Sequence, residues 1–424
     1  MVIAGWYGSD NTGDEAVMEA IVAALMRRGV TNLHVLSINP SKTSARLGIS
    51  SSPRAIAHPR TLRALLGAKA LVLGGGGLIQ DRTSVYNLPV YALLVLLARL
   101  FGTEIIGWGL GVEPLDTLLG KLLARFICDS SVFFSVRDEG SKRLLVRAGV
   151  SPHGLKVSAD PAFLLCGDRG PGTGDREPRP HRIPDPRSPV PGPHTRPNII
   201  FCLRELPDNR PGLNLHYLLP IGARRVLGMG GAGQSERSLA FVQLMARAVR
   251  TCAVEFGARV TFLPLWPGRD DEVMRAVSGA AAALGVAPTL LSWPDEDAGE
   301  PARIAAVIGG ADLLVSMRLH ALIFAACGGV PFLALAYARK VRGLARTLGA
   351  ERWLVEVENR MPEARDIETK LRQLWESREQ QSAALTLAAR DARLRADQDA
   401  DSIAGLLQDG RWTMDDGRWT IRLG

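Results

Sequence analysis

Short apolar runs alternate along most of this chain with longer segments whose apolar residues recur at helical spacing. In the first half the runs cover 2–5, 33–38, 70–73, 104–108 and 132–136, with helices expected over 12–28, 88–100 and 139–148. The pattern resumes with runs at 199–203, 260–263, 313–316 and 331–336, and with helices over 238–256, 272–284 and 319–327. An apolar run without alternation suits a strand buried on both faces. Strands that alternate with helices wind into a parallel sheet covered on both sides. The expected fold class is α/β, with two Rossmann-like, doubly wound halves facing a cleft and a charged, Ala/Leu-rich helical segment over 367–407. Ligands of such folds bind at the carboxyl ends of the strands.

The 424 residues exceed an ordinary single domain. Residues 167–197 are dense in Pro, Gly, Arg and Asp and nearly free of aliphatic side chains, so they read as a linker or disordered insertion. The expected division is 1–166, this linker 167–197, a second α/β domain 198–355, and a helical extension with a tail over 356–424. The sequence Asp-Gly-Arg-Trp-Thr occurs at 409–413 and again at 416–420, which reads as a hairpin or a loose tail without chemistry.

A net charge of +8 admits nucleic acid, an anionic membrane or a phosphorylated substrate as partner. The basic residues neither form long runs nor interleave with aromatics, which argues against nucleic acid. None of the five cysteines forms a CxxC pair, so buried free thiols in a reducing compartment are expected. The first residues reach Asp10, Asn11 and Asp14 without the apolar core of a signal peptide. The most apolar stretch, 88–101, holds Pro89 and Arg99 and is too short to span a bilayer. The expected location is cytoplasmic, with room for contact with the inner membrane surface.

Three motifs carry chemistry. In Gly5-Trp-Tyr-Gly-Ser-Asp-Asn-Thr-Gly-Asp-Glu-Ala16 a strand and a loop lead into a helix whose start, Thr12 to Glu15, has capping-box spacing. Such a helix end offers N–H groups to an anion or a hydroxyl, although Asp14 and Glu15 could equally stabilise the helix alone. Gly74 to Gly77 permits close backbone approach to a ligand, or simply a tight turn; Ile79 breaks the dinucleotide fingerprint. In Ser316-Met-Arg-Leu-His-Ala321 a strand end delivers Arg318 and His320 as an apolar helix begins. Arginine can hold a phosphate or carboxylate bidentately, and histidine exchanges protons near neutral pH. A helix cap or a satisfied buried imidazole is the other reading of His320. Arg339 and Lys340 follow the next strand, and Arg204 follows 199–203, so three strand ends each supply a cation, as an anion site requires. No spacing of His, Cys and Asp suggests a metal.

The motifs Gly5–Ala16, Gly74-Gly-Gly-Gly-Leu-Ile-Gln-Asp81, Ser135-Val-Arg-Asp138, Asp160-Pro-Ala162 and Ser316–Ala321 together resemble the polysaccharide pyruvyltransferase family, nearest to its bacterial cell-surface anchoring branch. The resemblance implies a fold like the two-Rossmann-domain (GT-B-like) glycosyltransferases. It also implies phosphoenolpyruvate as donor with no other cofactor, ketal formation on a hexose, and a lipid-linked or polymeric glycan as acceptor. It puts Arg204, Arg318, His320 and Lys340 at the donor and Asp14 towards the acceptor, with His320 and Asp14 as catalytic candidates. Asn11, Gly13, Gly76 and Arg137, from the other motifs, are the further substrate-binding candidates. The sequence departs from the family pattern at Ala338-Arg339, at Glu113 and at Glu205-Leu206. A nucleotide-sugar glycosyltransferase of the same architecture and a non-catalytic glycan-binding member are the competing expectations.

Overall fold

A computed structural model of the chain describes residues 1–81, 87–167, 196–206, 235–292 and 299–408, together with two backbone strands near the end. Most of the expected linker, 168–195, lies outside the described residues.

The first half contributes strands β1 (Val2–Ala4), β2 (His34–Ser37), β3 (Ser50–Pro53), β4 (Ala70–Gly74), β5 (Glu104–Leu110), β6 (Ser131–Val136) and β7 (Lys156–Val157). They form one parallel sheet of order β3-β2-β1-β4-β5-β6-β7. The second half contributes β8 (Asn198–Cys202), β9 (Arg259–Phe262), β10 (Thr289–Leu290), β11 (Leu313–Ser316), β12 (Phe332–Ala336) and β13 (Leu354–Glu356). Its parallel order is β10-β9-β8-β11-β12-β13. The central strands β4, β8 and β12 are buried along their whole length, which is why they read as unbroken apolar runs. The fold is α/β, GT-B-like, with a helical C-terminal segment.

The helices are α1 (Thr12–Arg27), α2 (Pro40–Leu47), α3 (Pro59–Leu66), α4 (Asn87–Leu100), α5 (Leu118–Asp129), α6 (Glu139–Arg147), α7 (Glu236–Glu255), α8 (Asp271–Ala282), α9 (Pro301–Gly309), α10 (Leu319–Cys327), α11 (Arg339–Thr347), α12 (Ala364–Glu376) and α13 (Arg378–Gln408). The start of α1 departs from the expected capping box in both its halves. Asn11 is the cap, its side chain accepting from the Gly13 N–H, while Glu15 reaches past it to the backbone of Gly8 at 2.8 Å and Ser9 at 3.1 Å.

The long helix α13 does not stay with the second half. It returns to the first, burying Ala392, Ala396, Ala400 and Ile403 in the core cluster that also holds the inner residues of α1. Arg28 pairs with Asp397 and Asp401, both at 2.8 Å, and Lys156 Nζ stands 2.8 Å from the fully buried Asp399. Strands β14 (Trp412–Asp415) and β15 (Arg418–Ile421), each holding part of one Asp-Gly-Arg-Trp-Thr segment, pair antiparallel; the rest of both segments lies outside the described residues.

The cysteines need one correction. Cys128, Cys202 and Cys252 are buried and free, but Cys166 and Cys327, 161 residues apart, are joined in a disulfide, their Cα atoms 5.3 Å apart. Sequence distance hid this pair because the fold packs the turn before Cys166 against α10.

Lys156→Ala should leave the Asp399 carboxylate buried without its cation. Because Lys156 is itself half exposed, the expected loss is about 1–3 kcal/mol in urea unfolding, below the full cost of splitting a wholly buried pair. Adding Asp399→Asn should recover most of that loss.

Candidate active site

The carboxyl ends of the second sheet gather cations, but they are already engaged. Ser316 closes β11 and its hydroxyl accepts from the Arg318 N–H at 2.9 Å. Arg318 occupies the cap position of α10, and its Nε and Nη2 grip the two oxygens of buried Asp270, Nε to Oδ2 at 3.0 Å. Asp270 is fixed in turn by the backbone N–H groups of Leu265 and Trp266. The planar fork of Arg318 is therefore occupied by a protein carboxylate, and only Nη1 takes no part in that pair. This differs from the expected bidentate grip on a ligand.

Beyond β12, Tyr337 is the meeting point of the other two cations. Arg204 lies 4.7 Å over its ring and donates Nη1 to the phenol oxygen at 3.0 Å, and Lys340 Nζ is 5.5 Å from the ring centre. Burial alone would raise the phenol pKa. Arg204, Lys340 and Arg318 outweigh it and bring the group down to about 7. Arg339, the other cation of that loop, is exposed.

His320 projects from the first turn of α10 onto the start of α1 in the other half. A Cβ on Gly13 would overlap the imidazole at Nδ1, so glycine is what lets the ring lie there. On the other side Nε2 faces Asp160 Oδ2 at 3.8 Å, an ion-pair distance too long for a hydrogen bond. Among the described residues nothing hydrogen-bonds the buried Nε2 atom, and Arg318, not His320, holds the cap position. A buried ring nitrogen left unsatisfied in a crevice is unlike a satisfied core histidine. Asp160 Oδ2 also accepts from Arg137 Nη1 at 3.1 Å, and Oδ1 from the Ala162 N–H at 3.1 Å. Burial pushes the Asp160 carboxyl up, but His320 and Arg137 overturn that and hold it at about 2. Arg137 packs closely on Gly111, where a Cβ would strike the guanidinium.

Asp14 completes the arrangement. Asn11 Nδ2 donates to its Oδ2 at 2.5 Å, and Gly76, at φ +67°, passes close to its other oxygen. Burial raises the Asp14 pKa, against the pull of His320, Lys340, the Asn11 bond and Arg318. A carboxylate so placed is a stronger base than an exposed one. Next to it, Glu15 is raised to about 7, first by burial and then by Asp14, although Arg46 and the Gly8 and Ser9 N–H groups oppose the shift.

Asn11, Gly13, Asp14, Gly76, Arg137, Arg318, His320 and Lys340 thus come together where the two halves meet, with Arg204 joined to them through Tyr337. Three members escaped the sequence reading. Asp160 stood inside a quoted motif. Tyr337 announced itself only as an aromatic directly after an apolar run. Asp270 gave no signal, because its partner Arg318 is 48 residues away. The glycine-rich motif also has a structural end: Asp81 accepts from Asp116 and Thr117 and fixes the start of α5. Among the described residues no group of three His, Cys, Asp or Glu could hold a metal ion.

The sequence profile of a family described as polysaccharide pyruvyl transferase matches residues 11–339. No curated protein sequence matches the chain. Among solved structures, Alr3699/HepE from Anabaena in complex with UDP-glucose superposes with a TM-score of 0.55 at 12% identity, covering 96% of this chain and 99% of that one. The MnaA–UDP structure from S. aureus gives 0.58 at 9% identity and 96% of both chains. The UDP-GlcNAc 2-epimerase from Neisseria meningitidis gives 0.54 at 10% identity, covering 96% of this chain and 100% of that one. At such identities the likeness is one of fold.

The raised Glu15 sets a pH dependence. The folded chain keeps a proton that the unfolded chain releases above the ordinary glutamate value of 4.5, so this group's contribution to stability is lost as pH rises towards 7. Glu15→Gln keeps an acceptor for Gly8 and Ser9 and removes that slope. Melting curves at pH 5 and pH 8 should show the variant gaining on the wild type at the higher pH.

Proposed function

Because the chain belongs to the polysaccharide pyruvyl transferase family, we propose that it moves the three-carbon unit of phosphoenolpyruvate onto a hexose and closes a pyruvate ketal there. The acceptor on this reading is a lipid-linked cell-surface polysaccharide, as in the bacterial cell-surface anchoring branch, and the work is done at the cytoplasmic face of the membrane. The observation that carries the proposal is the place of His320. It joins a half rich in cations, Arg204, Arg318 and Lys340, to a half that presents Asp14 at the start of α1.

The chemistry follows from that division. Phosphoenolpyruvate carries a phosphate and a carboxylate, and Lys340, Arg204 and the Nη1 of Arg318 are the groups able to meet them. His320 donates a proton to the methylene carbon, leaving an oxocarbenium-like centre at C2. One sugar hydroxyl adds to that centre and gives its proton to Asp14. The C2–O bond to phosphate then breaks, and phosphate leaves with its electron pair. A second hydroxyl closes the ketal. Of the two hydroxyl protons one ends, in balance, on the methyl group and the other on phosphate, and nothing is oxidised or reduced. Asp160 and Arg137 do not react; they hold the imidazole in place. Tyr337, brought down to about 7, is a second proton-exchanging group beside the donor cations.

His320→Ala should lower turnover by roughly 10²–10⁴, as expected for loss of a general acid, and should also lower the melting temperature, because buried Asp160 loses one of its two charged partners. Retention of most activity would make it a structural histidine. Gly13→Ala should do similar damage from the other side, since the new methyl overlaps the ring.

Titration calorimetry decides the substrate. Heat from phosphoenolpyruvate and none from UDP-glucose supports the proposal. Binding of UDP-glucose with no response to phosphoenolpyruvate would move the assignment to sugar transfer, the ligand class named for the Anabaena structure. Arg318→Lys should weaken donor binding by about 1.5–3 kcal/mol and destabilise the fold as well, because an ammonium cannot span both oxygens of Asp270.

A further inference from the structure

Nine of the sixteen exposed large hydrophobic side chains among the described residues lie on the helices α3 to α6. These helices cover the face of the first sheet opposite α1. Seven of the nine are on α4 and α5, which pack side by side. Leu93, Leu96 and Leu100 follow one another at helical spacing along α4, and Leu118, Leu119 and Leu122 do so along α5. Leu118 is 74% and Leu100 70% exposed, so these are not shallow edges of the core. A contiguous apolar surface of this kind marks an interaction site.

The same four helices carry eight Lys and Arg against two Asp and Glu, an excess of six positive charges in a chain of net +8. Between α4 and α5 is a depression of about 410 Å³ lined by Arg99, Leu122, Arg125 and Phe126, with Asp129 and Ser130. Local acids temper the charge without cancelling it: Asp129 pairs with Arg125 at 3.1 Å, and Glu104 lies near Arg99. Cores of protein interfaces are enriched in aromatics and poor in charge. Here the exposed set is aliphatic and its surroundings are basic, the combination that binds anionic bilayers.

We propose that this face docks on an anionic lipid bilayer, its leucines in the acyl boundary and its basic residues at the lipid phosphates. No helix among the described residues is long and apolar enough to cross a membrane, so the contact is peripheral. The partner is read from the surface alone; only its use, bringing the cleft to a lipid-linked acceptor, rests on the proposed function. The geometry suits that use, because α4 and α5 start at the carboxyl ends of β4 and β5, on the edge of the sheet that carries Gly76.

Flotation of the full chain with vesicles tests this without catalysis. The wild type should float with phosphatidylglycerol–phosphatidylethanolamine vesicles, stay behind with phosphatidylcholine, and be released by high salt. Leu118→Gln, Leu119→Gln and Leu122→Gln combined should weaken binding by about tenfold or more, given the apolar area removed, with an unchanged melt and unchanged transfer to a soluble acceptor. Equal flotation of wild type and triple variant, or none by either, overturns the proposal. So does a wild-type dimer that the variant breaks while neither floats, since the face would then be an interface between copies. Flotation without any pyruvyl transfer would sink the catalytic reading and leave the docking surface standing.

Discussion

The ionised carboxylate of Asp160, buried where the two halves meet, is the interaction on which the rest of the site depends. A lone charge at that depth would take up a proton, so its partners have to be present. Arg137 comes from the end of β6 and His320 from the start of α10, so the carboxylate joins elements of both halves. The two glycines behind these partners follow from it. Gly111 gives the Arg137 guanidinium its space, and Gly13 does the same for the imidazole. A charge of one sign thus fixes the approach of two sheets, which their apolar surfaces alone would leave free to slide.

The cations of the second half are held with similar economy. Arg318 is clamped by Asp270, and Arg204 and Lys340 converge on a phenol. Each positive charge is oriented before any ligand arrives. On the proposed function, that lowers the reorganisation an anionic donor would require, a main source of electrostatic catalysis. The acidic side is built the other way. Asp14 is kept basic by burial, and among the described residues Asn11 is its one side-chain hydrogen-bond partner.

The central strands were legible in the sequence because burial on both faces leaves an unbroken apolar run. The edges were not. β3 reads Ser-Ser-Ser-Pro, and it pairs through polar contacts, Ser50 and Ser52 each meeting a nitrogen of His34. The edge strands β7 and β10 are two residues long, too short for any periodicity. The candidate site was legible where a strand end and a charged residue are neighbours in sequence, as at Arg318, His320 and Lys340. It was hidden where geometry alone makes the pairing, as with Asp270 and with the two cysteines. Arg318 shows the limit of motif reasoning: the residue was found, but its fork is turned towards a carboxylate of the protein itself.

The return of α13 to the first half has a consequence for synthesis. Residues 392 to 403 cover surface that belongs to α1 and to the turn after Asp160, yet they leave the ribosome some 370 residues after α1 does. Until then α1 and the turn after Asp160 lack this cover, and so does α10 of the second half. The core shared by the two halves is therefore the last to be completed as the chain is synthesised. A chain stalled before this helix would display an alanine-lined groove on α1, the surface a holding chaperone would find.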